Sequence, residues 1–304
     1  MALGGNALLK AGERPSFHVQ IRNVIETAGV LARTIAKTNS GVVITHGNGP
    51  QVGDEILRNE YAKRHMPMLP LHVLGGETQA VIGSMIELAL HNEFEKLGIK
   101  RKVSVVVTHV RVDPDDPAFK APSKPIGPFY TKQRLGQALK TNGKPFDYVK
   151  EDGMYRKVVA SPIPMDIIEL DDIKHLTDKG HVVICCGGGG IPVYKQGHEF
   201  RGSDCVIDKD RTTALLGNGL HAGRMVILTD VSHVYADFPR NKVPIESITV
   251  QKAAPIAEGM EDGTMKPKVE ACISFIRHGG KSAAIGSLSD AEDVAVGRSG
   301  TQIS

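Results

Sequence analysis

Three glycine-rich turns, each placed directly after an apolar segment, carry the first chemical signal in this sequence. The apolar segments are residues 2–3, 42–45 and 182–186, and the turns that follow contain Gly4, Gly5 and Asn6; Gly47, Asn48 and Gly49; and four consecutive glycines at 187–190. Glycine lets backbone N–H groups approach a ligand that any Cβ atom would keep away. A helix that begins behind such a turn also favours an anion at its N-terminus. Together the turns predict a binding site for phosphate or another compact anion.

Three lysines in unusual local settings could supply positive charge to such a site. Lys124 lies between two nearby prolines, Lys209 lies between Asp208 and Asp210 at a predicted helix start, and Lys268 also opens a predicted helix. A cation at a helix N-terminus opposes the helix dipole, so it needs a carboxylate or a bound anion as compensation. Phosphoryl transfer requires fixed positive charges, because the protein mainly positions the reactants and stabilises charge. Any one of these lysines alone is also compatible with an ordinary solvated surface.

Other nucleotide-binding and catalytic motifs are absent from the sequence. Residues 280–282, Gly-Lys-Ser, have the end of a P-loop, but Phe275 occupies the position that needs the first glycine. The Gly4-Gly5 turn lacks the third glycine of a dinucleotide-binding fingerprint. No Gly-x-Ser-x-Gly nucleophile elbow occurs. We therefore interpret the glycine turns and lysines as a site for phosphoryl chemistry that uses none of these motifs.

The composition limits the class of protein and the partners that this sequence can have. The chain has 304 residues, 41% hydrophobic and 23% charged, as expected of one large globular domain or two fused lobes. The formal charge of +3 is too small to indicate a nucleic-acid partner. No apolar run approaches the roughly 18 residues of a membrane span, and no signal-peptide pattern is present. The four cysteines form no Cys-x-x-Cys pair, which favours reduced thiols in a cytoplasmic protein over a zinc site or disulfides.

Alternating helical and strand patterns indicate how these residues are positioned. Apolar residues at three- and four-residue spacing predict helices, and short apolar runs predict buried strands. The predicted helices are 16–39, 77–97, 169–178, 211–216 and 268–277, and the predicted strands are 42–45, 103–107, 182–186, 225–228, 282–285 and 294–296. Such alternation predicts an α/β protein with a mostly parallel sheet. Ligands of these sheets bind beyond the carboxyl ends of the strands, where all three glycine turns lie.

The alternation stops between residues 113 and 164. This segment is rich in proline and too long for an ordinary connection. Its aromatic residues argue against disorder, since disordered segments are usually poor in them. We therefore predict a small subdomain or lid that projects from the main sheet and carries Lys124.

Six motifs in order along nearly the whole chain resemble those of the carbamate kinases, members of the amino-acid-kinase family. They are Ala-Leu-Gly-Gly-Asn-Ala at 2–7, His-Gly-Asn-Gly-Pro-Gln-Val-Gly at 46–53, Lys-Pro-Ile-Gly-Pro-Phe at 124–129, Cys-Gly-Gly-Gly-Gly-Ile-Pro at 186–192, Val-Ile-Asp-Lys-Asp at 206–210 and Met-Lys-Pro-Lys-Val-Glu at 265–270. The resemblance implies a three-layer α/β/α sandwich with an open, mostly parallel sheet and a small protruding subdomain. It implies one amino-acid-kinase domain over 1–304, with an acceptor lobe at about 1–198, including the subdomain at about 112–160, and a nucleotide lobe at about 199–304. It further implies a homodimer that transfers phosphate reversibly between ATP and carbamate.

The resemblance also assigns roles to the residues that match its motifs. Lys124, Lys209 and Lys268 correspond to lysines of the phosphoryl site, with Lys209 on the transferred group and Lys268 on the nucleotide phosphates. Asp210 would orient Lys209, and Asp208 would be a further partner. The substrate pocket would be lined by Gly4, Gly5, Asn6, Gly47, Asn48 and Gly49, and the nucleotide side by Thr229, Asp230, Tyr235 and Met265 in addition to Lys209 and Lys268.

Magnesium is implied as an ion carried with ATP or ADP, since it bridges phosphate oxygens and keeps several waters, so no dedicated protein cage is expected. Two alternative functions remain open at this point. Another amino-acid kinase, such as one that acts on acetylglutamate, would usually carry a lysine where this chain has Leu3. A non-catalytic regulator of the same fold would not need all three lysines. Arginine breakdown is one of several metabolic settings compatible with the resemblance.

Overall fold

The computed structural model describes residues 1–10, 12–13, 16–38, 40–142, 146–151, 153–237, 241–260 and 265–304. Strands and helices alternate over most of the described residues. The strands are β1 (Ala2–Leu3), β2 (Val42–His46), β3 (Val103–Val106), β4 (His109–Val112), β5 (Lys124–Tyr130), β6 (Asp147–Glu151), β7 (Met154–Val159), β8 (Pro164–Ile167), β9 (Val182–Cys185), β10 (Ile191–Gln196), β11 (Glu199–Gly202), β12 (Arg224–Thr229), β13 (Val234–Asp237), β14 (Asn241–Ile245), β15 (Ser247–Ile248), β16 (Ser282–Ser287) and β17 (Thr301–Ile303). The α-helices are α1 (Phe17–Ala36), α2 (Gly49–Ala62), α3 (Leu71–Leu97), α4 (Lys132–Asn142), α5 (Leu170–Asp178), α6 (Lys209–Gly219), α7 (Val250–Gly259), α8 (Lys266–Arg277) and α9 (Ala291–Val296).

The central feature is an eight-stranded sheet in the order β15-β17-β16-β12-β1-β2-β9-β3. From β16 to β3 every neighbouring pair is parallel, whereas β17 runs antiparallel to β16. Residues of β9 are buried throughout, as expected of a strand covered on both faces. The prediction of an α/β protein with a mostly parallel sheet is confirmed.

Helices cover both faces of this sheet and make three layers. On one face, Leu31 of α1 and Leu90 of α3 pack in one buried cluster with Ile44 and Ile184 of the sheet. On the other face, helices α7 and α8 pack against β12 and β16, and α5 packs against β9. Side chains of successive strand residues point to opposite faces, so each short apolar strand feeds both clusters. The predicted three-layer sandwich is therefore confirmed.

Helix α1 shows how local sequence sets an element. The Ser16 hydroxyl accepts a hydrogen bond from the backbone N–H of Val19 at 3.3 Å and caps the helix start. Val24, Ala28 and Leu31 form the buried stripe that the spacing predicts. The predicted end at Asn39 lies outside the described residues, and the helix itself ends at Ala36.

The proline-rich segment contains an ordered unit of its own. Strands β5, β7 and β6 form a separate antiparallel three-stranded sheet, joined by α4. We call these four elements the protruding sheet. One proline of this segment, Pro145, lies outside the described residues. The boundaries proposed for the two lobes stay a prediction.

The strand predicted at 294–296 is wrong, because these residues end helix α9. An apolar run this short fits either a strand or a helix. Gly297 follows α9 directly and adopts a left-handed φ of 85°. A glycine at this position is a common signal for the end of a helix, and it is visible in the sequence. The last strand is instead β17, antiparallel to β16.

Candidate active site

The three glycine turns meet at one edge of the sheet because β1, β2 and β9 are adjacent and parallel. The backbone N–H of Gly47 donates to the carbonyl of Leu3 at 3.2 Å. A Cβ atom on Gly47 would lie 3.8 Å from the backbone N of Gly5 and 3.9 Å from Cε of Lys209. The first two turns therefore face each other with the Lys209 side chain beside them.

The third turn packs closely against the second turn. Gly188 and Gly189 have φ values of 64° and 97°, which side chains rarely adopt. A Cβ atom on Gly188 would overlap the side chain of Asn48, and one on Gly189 would overlap the carbonyl of Ile207. Glycine is thus required here for close packing. This packing holds the Asn48 turn against the segment that leads into α6.

Asp210 brings two of the predicted lysines together. Its carboxylate forms an ion pair with Lys209 through one oxygen and with Lys268 at 3.2 Å through the other. The side chain of Asp210 is 4% exposed, and those of Lys209 and Lys268 are 11% and 12% exposed. Two ammonium groups from different helices are therefore fixed by one buried carboxylate.

Asp208 holds the third lysine. Lys124, the first residue of β5, places its ammonium group 2.6 Å from the Asp208 carboxylate. The other carboxylate oxygen caps α6 by accepting from the backbone N–H groups of Asp210 and Arg211, at 2.9 and 3.3 Å. Burial acts to raise the pKa of Asp208, but the charge and hydrogen bond of Lys124 outweigh it and bring the pKa to about 2. The carboxylate is consequently ionised at neutral pH.

All three predicted lysines thus contact two carboxylates of one short motif, next to the glycine turns. Three ammonium groups and two carboxylates leave one positive charge in excess. Such a cluster can exchange contacts with an incoming phosphoryl group without assembling new charge. The arrangement provides preorganised charge of the kind that phosphoryl transfer uses.

The other residues predicted to line the substrate pocket lie at the same edge. Gly49 begins α2, and Asn48 directly before it donates a hydrogen bond from its amide to the Thr78 hydroxyl at 2.9 Å. Gly4 donates its N–H to the carbonyl of Leu228 at 2.9 Å. Asn6 belongs to a short 3-10 helix over Gly5–Ala7, and its side chain lies outside the described part of the structure.

Nucleotide-side candidates occupy several positions around β12. Thr229 ends β12 beside Gly4, since a Cβ atom on Gly4 would lie 3.6 Å from the Thr229 Cα. Its hydroxyl donates to Asp230 at 2.9 Å. Met265 precedes α8 and accepts the N–H of Lys268 on its carbonyl at 3.0 Å. Tyr235 lies on β13, with its hydroxyl 3.3 Å from that of Ser232.

His46 is a site residue that the sequence reasoning did not single out. It is 1% exposed, and burial lowers the pKa of its imidazole to about 4, with Lys209 adding to the effect. Its Nδ1 lies 3.0 Å from the carbonyl oxygen of Gly47, which can only accept, so Nδ1 carries the proton. The neutral ring therefore fixes the orientation of the Gly47 peptide. Its position directly before the glycine turn was the available signal.

A cavity of about 910 Å³ lies at the opposite edge of the sheet and is unrelated to this cluster. It is lined by the basic residues Lys100, Arg101, Lys102, Lys179 and His181, among others. Helices α1, α3 and α5 end near there, and helix C-termini carry partial negative charge. Arg101 donates a hydrogen bond from Nε to the carbonyl of Gly180, just past the end of α5, at 3.1 Å.

Comparison with known proteins defines the class first. The sequence model of the amino acid kinase family matches residues 1–287. The chain belongs to the amino acid kinase family.

Within the family, the chain is similar to carbamate kinases. One from Haemophilus influenzae is 43% identical over 307 residues, covering 100% of this chain and 95% of that protein. The structure of carbamate kinase from Giardia lamblia bound to AMP-PNP has a TM-score of 0.90 at 38% identity and covers 99% of this chain and 96% of that one. The same protein bound to citric acid gives a TM-score of 0.92 at 39% identity with the same coverage. The resemblance predicted from the motifs is confirmed over the whole chain.

Proposed function

We propose that the protein is a carbamate kinase, which transfers a phosphoryl group reversibly between ATP and carbamate to give ADP and carbamoyl phosphate. The observation that carries this proposal is the convergence of Lys124, Lys209 and Lys268 on Asp208 and Asp210 beside the glycine turns. Similarity to carbamate kinases over the full length supports the choice of substrate.

The positions of the three lysines suggest a different role for each. Lys209 lies beside Gly47 and Gly5, so it can contact the phosphoryl group that moves between the two substrates. Lys268 shares Asp210 with Lys209 but belongs to α8, and it holds the nucleotide phosphates. Lys124 reaches in from the protruding sheet and neutralises the charge of the transferred group. Each lysine exchanges a carboxylate contact for a phosphate contact.

Carbamate needs no general base, because it already presents an anionic oxygen to the phosphorus. The role of the first two turns is then to bind a small substrate by backbone N–H groups, with Gly4, Gly5, Asn6, Gly47, Asn48 and Gly49 around it. In the reverse direction an ADP oxygen attacks the phosphorus of carbamoyl phosphate, and carbamate leaves. The same positive charges stabilise the transition state in both directions.

Magnesium fits this site as an ion carried by the nucleotide. The carboxylates of Asp208 and Asp210 are each held by ammonium groups, so they are poor candidates for a preformed cage. Within the described residues no group of three His, Cys, Asp or Glu side chains could hold a metal ion. Phosphate oxygens and water would therefore supply most ligands, and the ion would add positive charge at the phosphates.

We further propose a cytoplasmic homodimer, with the acceptor lobe at about 1–198 and the nucleotide lobe at about 199–304, for which arginine breakdown is one of several compatible metabolic settings. Helix α3 supports the dimer, because Val73, Val81 and Leu88 are exposed along it. None of the helices described here is long and apolar enough to cross a membrane.

Formation of ATP from ADP and carbamoyl phosphate by the purified protein tests the proposed function. We expect activity with carbamoyl phosphate and none with acetylglutamyl phosphate. Lys209→Ala should abolish turnover without unfolding the protein, while Lys252→Ala, which changes an exposed lysine on α7, serves as control. Activity with acetylglutamyl phosphate alone would favour a different amino-acid kinase. Binding of ADP without turnover would favour a regulator.

A further inference from the structure

A buried ion pair joins α2 to the protruding sheet, away from the lysine cluster. The ammonium group of Lys157, on β7, donates to the carboxylate of Glu60, on α2, and the two side chains are 1% and 8% exposed. The same ammonium group lies 4.9 Å from the ring centre of Phe146 and 5.6 Å from that of Tyr130. Charges this deeply buried cost desolvation, and an apolar pair often stabilises a fold as well or better. A fixed geometry is therefore a better explanation of the pair than stability alone.

A second contact fixes the same two elements. A Cβ atom on Gly53 of α2 would overlap the Cα of Gly127 of β5, so the two backbones touch. Around them, Val52 and Ile56 of α2 share one buried cluster with Ile126 of β5. The helix and the sheet are thus held at two points, with apolar packing between them.

Both fixed elements lead directly into the site. Helix α2 begins at Gly49, one helical turn before Gly53, and its N-terminus forms part of the glycine turn. Strand β5 begins at Lys124, three residues before Gly127 and so about 10 Å away. Strand β7 pairs with β5 in a register that sets Lys157 opposite Ile126. Rotation of the sheet about the Gly53–Gly127 contact would therefore displace the Lys124 ammonium group.

We propose that Glu60 and Lys157 are positioning residues for the phosphoryl transfer, which lock α2 and the protruding sheet into one rigid body and thereby set the distance from Lys124 to the glycine turn at 47–49. The inference rests on the proposed function for its kinetic consequences. The lock itself is a property of the fold. In this arrangement the sheet cannot approach or leave the site independently of α2.

A test combines each substitution with removal of the lysine that it is meant to position. Glu60→Gln and Lys157→Met are assayed with ADP and carbamoyl phosphate in the Lys124 and the Lys124→Ala backgrounds. Glu55→Gln is the matched control, because Glu55 lies on the same helix and pairs with the exposed Arg58. We expect kcat to fall about 10- to 100-fold in the Lys124 background. In the Lys124→Ala background the same changes should lower kcat by less than about 3-fold, since positioning acts only through Lys124.

Equal losses in both backgrounds would overturn the inference, as would a wild-type kcat in the single variants. If the single variants fail to fold, Glu60→Met combined with Lys157→Met replaces the charges with an apolar pair that fills the space. A folded double variant with low kcat supports the inference, and one with wild-type kcat overturns it.

If the wild-type protein lacks carbamate kinase activity, the proposed function is wrong, but the role of Glu60 and Lys157 in fixing the protruding sheet to α2 can still be measured separately. Amide hydrogen exchange in β5 and β7 should then be faster in Glu60→Gln than in Glu55→Gln. Equal exchange would show that the pair does not fix the sheet.

Discussion

Asp210→Asn isolates the charge that holds Lys209 and Lys268 together. Asparagine keeps the shape of the side chain but leaves two nearly buried ammonium groups without their shared carboxylate. Removal of one partner from a buried ion pair costs about 3–5 kcal/mol. At about 2.1 cal/mol/K of unfolding entropy per residue, the 304 residues give about 1.6 °C for each kcal/mol, so we expect the melting temperature of the ligand-free protein to fall by about 5–8 °C.

In the same variant, kinetic constants should distinguish an effect on the orientation of Lys209 from an effect on the binding of the anionic substrates. Loss of a negative charge beside an anion site does not weaken the binding of anions, so KM for ADP and for carbamoyl phosphate should not rise. Lys209 loses its fixed direction, however, so kcat should fall about 100-fold. Melting curves without ligand and initial rates of ATP formation measure the two effects.

Asp171→Asn is the control, because Asp171 is an exposed acid in the first turn of α5, as Asp210 is in the first turn of α6. It reports the helix-dipole contribution alone, about 0.3–1 kcal/mol. A raised KM with unchanged kcat in Asp210→Asn would refute the reasoning. So would a change in melting temperature no larger than that of the control.

Three further predictions concern pH and packing. Asparagine can still cap α6, so Asp208→Asn should lower the free energy of unfolding by a constant amount well above pH 4. The difference from wild type should shrink as pH falls from about 4 through the folded pKa of about 2 and vanish below it, where the wild-type carboxyl is protonated. Because the folded pKa of His46 lies below the ordinary value of 6.5, at about 4, the wild type should lose stability as pH falls between these values, and His46→Asn should flatten that slope in denaturant titrations. Gly53→Ala should separate α2 from β5 and lower both melting temperature and kcat, because its Cβ would overlap Gly127, whereas Gly75→Ala on α3, where the new Cβ meets nothing within 4 Å, should not lower the melting temperature.

Each of the three has a contrary result. A stability difference for Asp208→Asn that is as large near pH 2 as at neutral pH would show that the charge is not its source. An unchanged slope in His46→Asn would assign the acid loss to other groups. Equal melting temperatures for the two alanine variants would mean that the α2–β5 contact yields without cost.

The location of the site was accessible from sequence because it follows from parallel topology. Residues 42–45 and 182–186 are short apolar runs that end in glycine turns, and parallel strands place such ends at one edge. Lys209 and Lys268 could be identified as candidates because each opens a helix, where a cation needs a partner. The pairing of Lys124 with Asp208 could not be derived, since it depends on how the protruding sheet folds back.

The parts that sequence did not reveal depend on contacts between distant segments. The order of β5, β7 and β6 arises from antiparallel pairing inside a proline-rich region whose local signals are weak. Glu60 and Lys157 look like ordinary surface charges until the fold buries them together. Residues 294–296 were assigned to a strand because apolar content alone does not distinguish a short strand from a short helix.

The position of β1 in the sheet has a consequence for biosynthesis. Ala2–Leu3 lies between β2 and β12, so its second neighbour, Arg224–Thr229, is made only after most of the chain has been translated. Contacts of such high sequence separation slow folding. The glycine turn that follows β1 thus acquires its final surroundings late in synthesis, once β12 has been made.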